Sequence, residues 1–445
     1  MAYNRKQRLN DNIKAIETAF ILDREQRTPT ARERLLLERY CGFGGLKCIL
    51  NPARELADAV HWAKSDLELF APTVELHRLI RENSKNESEY KQLMDSLKQS
   101  VLTAFYTPSA VTEVLTDVLK EHQIIPEKVL EPSAGIGAFV DSVLDNNPKA
   151  GIMAFEKDLL TGKILRHLHP EQKVRIEGFE KIEKPFNDYF DLAISNIPFG
   201  DVAVFDPSYT AMKGMRALVT RRIHNYFFVK ALDTVRDGGL VAFITSQGVL
   251  NAKNNSAARF MMLYHADLVS AIRLPNNLFT ENANTEVGSD LIILQKNTQK
   301  ESLRGDDNLL DTVYNDENRI PTNNYFLEHP ERIIHTTAKL DTDPFGKPAM
   351  IYTHEDGVEG IAEDLRKMLH EDFKKNLNLN RYLGIEETKA EEVKEVEETE
   401  KIEKTEKIKP SFEKKQNDTV VSLQKQEKPT DDAELSQKSN HQQPP

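Results

Sequence analysis

Between residues 101 and 297 the chain alternates two periodicities, and few architectures accept that alternation. Seven short apolar runs are each bounded by turn residues: "KVLEP" (128–132), "AGIMAFE" (150–156), "KVRIEG" (173–178), "DLAISN" (191–196), "LVAFITS" (240–246), "LVSAIRL" (268–274) and "DLIILQK" (290–296). Helical patterns such as "HNYFFVKALDTVRDGG" lie between most of them. Strands that are apolar on both faces and separated by helices predict an α/β fold, with a mainly parallel sheet covered on both sides. The last two runs have no clear helix between them, which predicts an antiparallel hairpin at one edge.

The flanks read differently. Residues 1–98 are mostly helical in pattern: "TARERLLLERYCGFGGLKCIL" combines helical apolar spacing with a glycine break at Gly42, Gly44 and Gly45, and a second helix runs through "SEYKQLMDSLKQSVLTAF". Residues 99–297 form the alternating domain. Residues 298–385, with short periodic pieces among many turn formers, read as a partly ordered extension. From Glu386 to the end, charges alternate with few large apolar groups, a composition that cannot offset its ordering entropy. That tail is either a solvated segment or an arm that docks a partner.

Charge and cysteine content limit the function classes. The net charge is −12. The tail holds 16 acidic and 11 basic side chains and so contributes −5, leaving −7 on the remainder. A nucleic-acid contact would therefore need a local basic patch. Two cysteines, Cys41 and Cys48, are too few for a structural zinc site, and no metal is expected. Sparse cysteine suits a reducing bacterial cytoplasm. No apolar run approaches the roughly 18–20 residues of a membrane helix, and the N-terminus has no secretion-type h-region.

Two turns carry the chemistry. "VLEPSAGIGAF" (129–139) follows the first strand and opens a helix; Gly135 and Gly137 allow a sharp turn and close ligand approach, as in a nucleotide-type pocket. The third glycine of the dinucleotide fingerprint is absent, with Val140 in its place, and there is no GxxxxGK[ST] pattern. Glu156 ends the second strand, where a carboxylate can accept from ribose hydroxyls; alone it reads first as a surface glutamate at a strand end, and beside the glycine turn as a ligand-holding carboxylate. The second turn, Asn196-Ile197-Pro198-Phe199, ends the fourth strand. The Asn196 amide carbonyl and the Ile197 backbone carbonyl are two acceptors, Pro198 stiffens the turn, and Phe199 offers a flat face. Together they suit an exocyclic amine on a planar base, held while the base stacks, an interaction worth roughly 1–3 kcal/mol. The bland reading is a loop with a buried phenylalanine.

In this order the motifs resemble the S-adenosylmethionine-dependent DNA methyltransferases of the N6-adenine class, whose signature turn is [Asn/Asp/Ser]-Pro-Pro-[Tyr/Phe/Trp]. "AFYTPSAVTEVL" (104–115), the glycine turn and the aromatic turn follow the gamma-type arrangement. "IHNYFFVKALDTVRDGGLVAFITSQGVL" and "AIRLPNNLF" look like segments of type I modification subunits. "YCGFGGL" with "SNIPFG" resembles the methylase region of methylase–helicase proteins of phages and conjugative elements. The resemblance covers residues 30–297 and implies a Rossmann-like methyltransferase fold with a seven-stranded sheet.

It further implies that Thr107 and Pro108 line the methionine end of the cofactor. Glu131, Pro132, Gly135, Gly137 and Phe139 would shape its pocket, and Glu156 would hold the ribose. Asn196, Ile197, Pro198 and Phe199 would hold a flipped adenine. Ile197 replaces the first proline of the signature, which makes the turn less rigid. Gly178 and Phe179 stand near the slot where the family often has an acid, so Glu180 is the substitute carboxylate and Phe179 a ring neighbour. "KGMRALVTRRIH" (213–224) supplies Lys213, Arg216, Arg221 and Arg222, either as DNA phosphate contacts or as a solvated helix face. DNA is the implied partner, with a helicase or nuclease component alongside in a restriction-modification or mobile-element setting. Protein-glutamine or RNA-base methylation, and a non-catalytic DNA-binding module, share the same motifs.

Overall fold

The computed structural model describes residues 4–103, 106–212, 214–280, 286–303, 307–314, 319–343 and 346–385. The charged tail and Lys213 lie outside them. Seven strands form one sheet: β1 (Lys128–Glu131), β2 (Gly151–Phe155), β3 (Lys173–Arg175), β4 (Phe190–Asn196), β5 (Val235–Ser246), β6 (Ala266–Leu274) and β7 (Ser289–Lys296), in the order β3-β2-β1-β4-β5-β7-β6. The first five pair in parallel, and β7 runs antiparallel to both β5 and β6. The mixed sheet with an antiparallel pair at one edge is thus the one the apolar runs predict. Strand order reverses direction between β1 and β4, which is the switch point where such sheets open a crevice beyond their carboxyl ends.

Period-2 alternation explains why the central strands are apolar throughout. Leu192 and Ile194 of β4, Leu240, Ala242 and Ile244 of β5, and Leu291 and Ile293 of β7 face one core. Ala193, Val241, Phe243, Ile292 and Leu294 face the other. The first core is closed by helices Ser109–Glu121 and Ala138–Asn146 and by the late helix Gly357–Asn376, through Ile361, Leu365, Leu369 and Phe373. Residues 298–385 thus contribute a 20-residue helix to the main core. The second core is closed by Ile223–Thr234 and Ser256–His265.

The N-terminal residues form helices Arg5–Glu25, Ala31–Leu37, Phe70–Glu82 and Glu87–Thr103. Their core is continuous with Leu160, Ile164 and Leu168 on helix Leu159–Leu168, which follows β2. In this layer the Trp62 indole N–H donates to the Pro52 carbonyl at 2.9 Å, and its ring stands edge-on to Phe70, 5.4 Å between centroids. Among the described residues no helix is long and apolar enough to cross a membrane. Among them, too, no group of three or more His, Cys, Asp or Glu could hold a metal ion.

Candidate active site

β1 and β4 are adjacent and in register, Val129 opposite Leu192 and Leu130 opposite Ala193, so their carboxyl ends deliver both turns to the same edge of the sheet. After β1 the backbone turns through Gly135 (φ 55°) and Gly137 (φ 94°), a left-handed region that favours glycine. Glu156, at the end of β2, clamps this turn. One carboxylate oxygen accepts the Gly135 N–H at 2.8 Å and the other the Asp158 N–H at 2.6 Å. Burial, reinforced by the charge of Asp158, pushes the Glu156 carboxyl up to about 7. Its carboxylate thus holds the loop.

Glu131 is buried at the end of β1. One of its oxygens accepts the Ser133 N–H at 3.2 Å; the other, Oε2, is buried near the buried Ser195 hydroxyl of β4, and neither has a partner at hydrogen-bond distance. Burial pushes its carboxyl up to about 8. Thr107, one residue before the Pro108 cap of helix Ser109–Glu121, likewise has a buried hydroxyl without a partner. Two orphaned polar atoms flanking a glycine turn are unsatisfied on their own, and a ligand with an ammonium or carboxylate end would satisfy them. The ring of Tyr106 lies over Gly135: a Cβ added there would come within 2.8 Å of its Cε1. Pro132 and Phe139 are buried, Phe139 in the core beneath the turn.

The aromatic turn leaves β4 at Asn196, which is half-buried. Ile197 is 1% exposed within the second core, and its N–H donates to the Ile244 carbonyl of β5 at 3.0 Å. A proline at 197 could not make that bond. The looseness expected from the Ile197 replacement is therefore countered by a ladder bond and by burial. Phe199 is half-buried against the first core, edge-on to Phe279 at 6.3 Å. One side of its ring is packed, and the ring keeps partial exposure beside the crevice.

Phe179 is 1% exposed, packed among Phe155, Tyr226 and Phe227, so its ring is a core element. Glu180 folds back instead. Its carboxylate fills the space that a side chain at Gly178 would occupy. The basic segment divides. Arg216 is bound bidentately to Asp233 at 2.6 and 2.8 Å, an ion pair that raises its already high pKa. Arg222 reaches Asn254, Asn255 and Asp201 at 2.9–3.1 Å. Arg221 is exposed.

Three contributors were not singled out from sequence. Tyr106 was quoted only as part of its motif. Asp158 caps helix Leu159–Leu168 by accepting the Thr161 N–H, a role legible in an Asp before an apolar helical run. Ser96, from the N-terminal layer, donates to Asp158 at 2.7 Å and accepts the Leu160 N–H at 3.0 Å. No local pattern marks it.

Comparison with known proteins follows the same residues. The family model described as N-6 DNA Methylase matches residues 88–391. Over 201 residues the chain is 29% identical to the Defense against restriction protein B of Escherichia phage P1, covering 44% of this chain and 8% of that protein. It is 25% identical over 173 residues to the Type II methyltransferase M.XamI of Xanthomonas campestris pv. amaranthicola, covering 36% of this chain and 33% of the other. The alignments thus span at most a third of these relatives' lengths. Superposition on a modification subunit attributed to a type I restriction enzyme from Vibrio vulnificus YJ016 covers 65% of this chain and 67% of that chain, at 15% identity and a TM-score of 0.38.

Proposed function

The chain belongs to the N-6 DNA methylase family, and from that premise we propose that it transfers a methyl group from S-adenosylmethionine to the N6 amino group of adenine in DNA, with the target base flipped into the turn Asn196–Phe199. The observation that carries this reading is the registered pairing of β1 with β4, which brings the glycine turn and the aromatic turn to one end of the sheet.

The residues of the first turn fit the cofactor. Glu131 and Thr107, with their unsatisfied buried atoms, would hold its amino-acid end, together with Pro108. Glu156 would take the ribose, Gly135 and Gly137 would admit it to the backbone, and Glu180 would meet its ring from the slot beside Gly178. When bound, S-adenosylmethionine supplies an electrophilic methyl on a sulfonium sulfur.

The chain's own part is to hold and polarise the amine. Asn196 and the Ile197 carbonyl accept its two N–H bonds, which favours the tetrahedral, positively charged nitrogen of the transition state. Phe199 fixes the plane of the base by stacking, which aligns the nitrogen for in-line transfer. The spare proton leaves to water, so no strong base is required. Among the described residues of the segment Arg221 is exposed and would meet phosphate, whereas Arg216 and Arg222 brace the segment that carries it. By analogy with the phage P1 protein, the mark would protect the DNA of a mobile element from restriction in the cytoplasm, with helicase or nuclease functions on partner segments.

Purified protein, labelled S-adenosylmethionine and mixed-sequence DNA should place label on adenine; label found only on protein or RNA overturns the reading. Asn196→Ala should bind the cofactor normally by calorimetry and lose transfer by roughly 10²–10³-fold.

A further inference from the structure

Phe205 stands six residues beyond Phe199 and is 78% exposed, the most exposed aromatic side chain among the described residues. An unsupported loop could hide such a ring, but this segment is anchored on both sides. The Val204 N–H donates to the Thr220 carbonyl at 2.8 Å. Asp206 is buried and accepts from Ser208 N–H at 2.8 Å, the Tyr226 hydroxyl at 2.7 Å and Lys230 Nζ at 3.1 Å. Tyr226 and Lys230 belong to helix Ile223–Thr234, which packs on the sheet. Nearer the aromatic turn, Asp201 pairs with Arg222 at 3.1 Å. The ring is thus presented outward by a rigid mount, at the cost of leaving apolar surface in water.

The same backbone bond sets its neighbour. Thr220 precedes Arg221, and Val204 precedes Phe205, so the bond ties the segment that carries the exposed ring to the segment that carries the exposed Arg221. Phe205 lies nine residues beyond Asn196, a span of at most about 30 Å, on the connection that leaves the strand delivering Asn196. An exposed aromatic and an exposed cation on two tied segments, the first following the base clamp in the chain, match DNA: the cation meets phosphate and the ring enters the stack.

We propose that Phe205 is a wedge that enters the duplex at the target adenine and fills the gap left by the flipped base; this rests on the DNA-methylation reading above. Flipping leaves an unstacked hole, and an inserted apolar side chain lowers the cost of keeping it open. Phe205 is thereby a positioning residue: it touches the duplex around the target and acts on the reaction by keeping the base extruded.

The test compares initial methylation rates of wild type, Phe205→Ala, Phe205→Leu and Phe205→Trp on mixed-sequence duplex DNA and on the same DNA denatured. Phe205→Ala should lose about tenfold or more on duplex, the size expected when an unstacking cost goes uncompensated. On single strands, where no stack must be broken, its rate should stay within about twofold of wild type. Across the series the duplex rate should follow stacking surface, Trp and Phe above Leu above Ala, a readout that decides even where denatured DNA is not a substrate. Equal duplex rates across the series overturn the wedge and point to a protein-docking patch. Equal losses on both DNA forms also overturn it, as a structural defect. Wild type that labels no DNA at all overturns the methylation reading and the wedge together.

Discussion

Glu131 is a carboxyl held partly protonated at neutral pH, since burial places it near about 8. Its folded-state value lies above the unfolded one. The stability it contributes is therefore fully present below about pH 4.5 and is lost as pH rises through about 8. Glu131→Gln should match wild type or fall below it in melting temperature near pH 5, then overtake it by about pH 9. Melting curves across that range check the crossover; parallel profiles would remove the role of burial. At this scale the sequence showed which groups were present and hid their pairings. The places of Glu156 and Asn196 at the carboxyl ends of β2 and β4 were legible from the apolar runs before them. The bond from Ile197 to Ile244 was not, because it depends on a neighbouring strand 47 residues later. Arg216 read as an available cation, but its partner Asp233 sits 17 residues on, on another helix.

The decisive element is the turn between β1 and the helix Ala138–Asn146. Gly135 has φ 55° and the Tyr106 ring against it, so an added methyl meets both backbone strain and a clash. A left-handed non-glycine residue costs roughly 1–2 kcal/mol before the contact is counted. Gly135→Ala should lower the melting temperature and abolish cofactor binding by calorimetry, whereas Gly214→Ala, with φ 88° but open space around it, should lower the melting temperature and leave binding unchanged. The strands other than β3 were readable because both faces are buried, which leaves apolar runs; in β3 Lys173 is exposed and Val174 and Arg175 are half-buried. The start of β5 was not readable. "VRDGG" has turn chemistry, yet Val235 pairs with Phe190 across a register shift, and Gly238 takes φ 75° there. The helix Gly357–Asn376 was also not set apart, since its apolar stripe makes sense only once the face of β6 is there to receive it.

At the scale of the molecule, the N-terminal layer is built onto the helix Leu159–Leu168 that follows β2. Tyr40 meets Thr161 at 3.2 Å, the Arg34 guanidinium donates to the Leu168 carbonyl at 2.6 Å, and Ser96 holds Asp158. Residues 1–98 read as a separate helical region from sequence, and nothing local announces these links. Removing them would bare Leu160, Ile164 and Leu168. A chain starting near residue 99 should therefore give little soluble protein. The gentler Ser96→Ala should lose roughly 1–3 kcal/mol of stability, measured by denaturant unfolding, because a buried acceptor is left unmatched.

Trp62 gives that layer its own signal. It is the chain's single tryptophan, and its indole is lodged in the N-terminal core. Fluorescence emission excited at the indole band thus reports one layer, whereas backbone ellipticity averages over the whole chain. Coincident transitions by the two probes would mark a single cooperative unit, and an earlier loss of indole emission would mark a layer able to peel away and uncover the helix that follows β2.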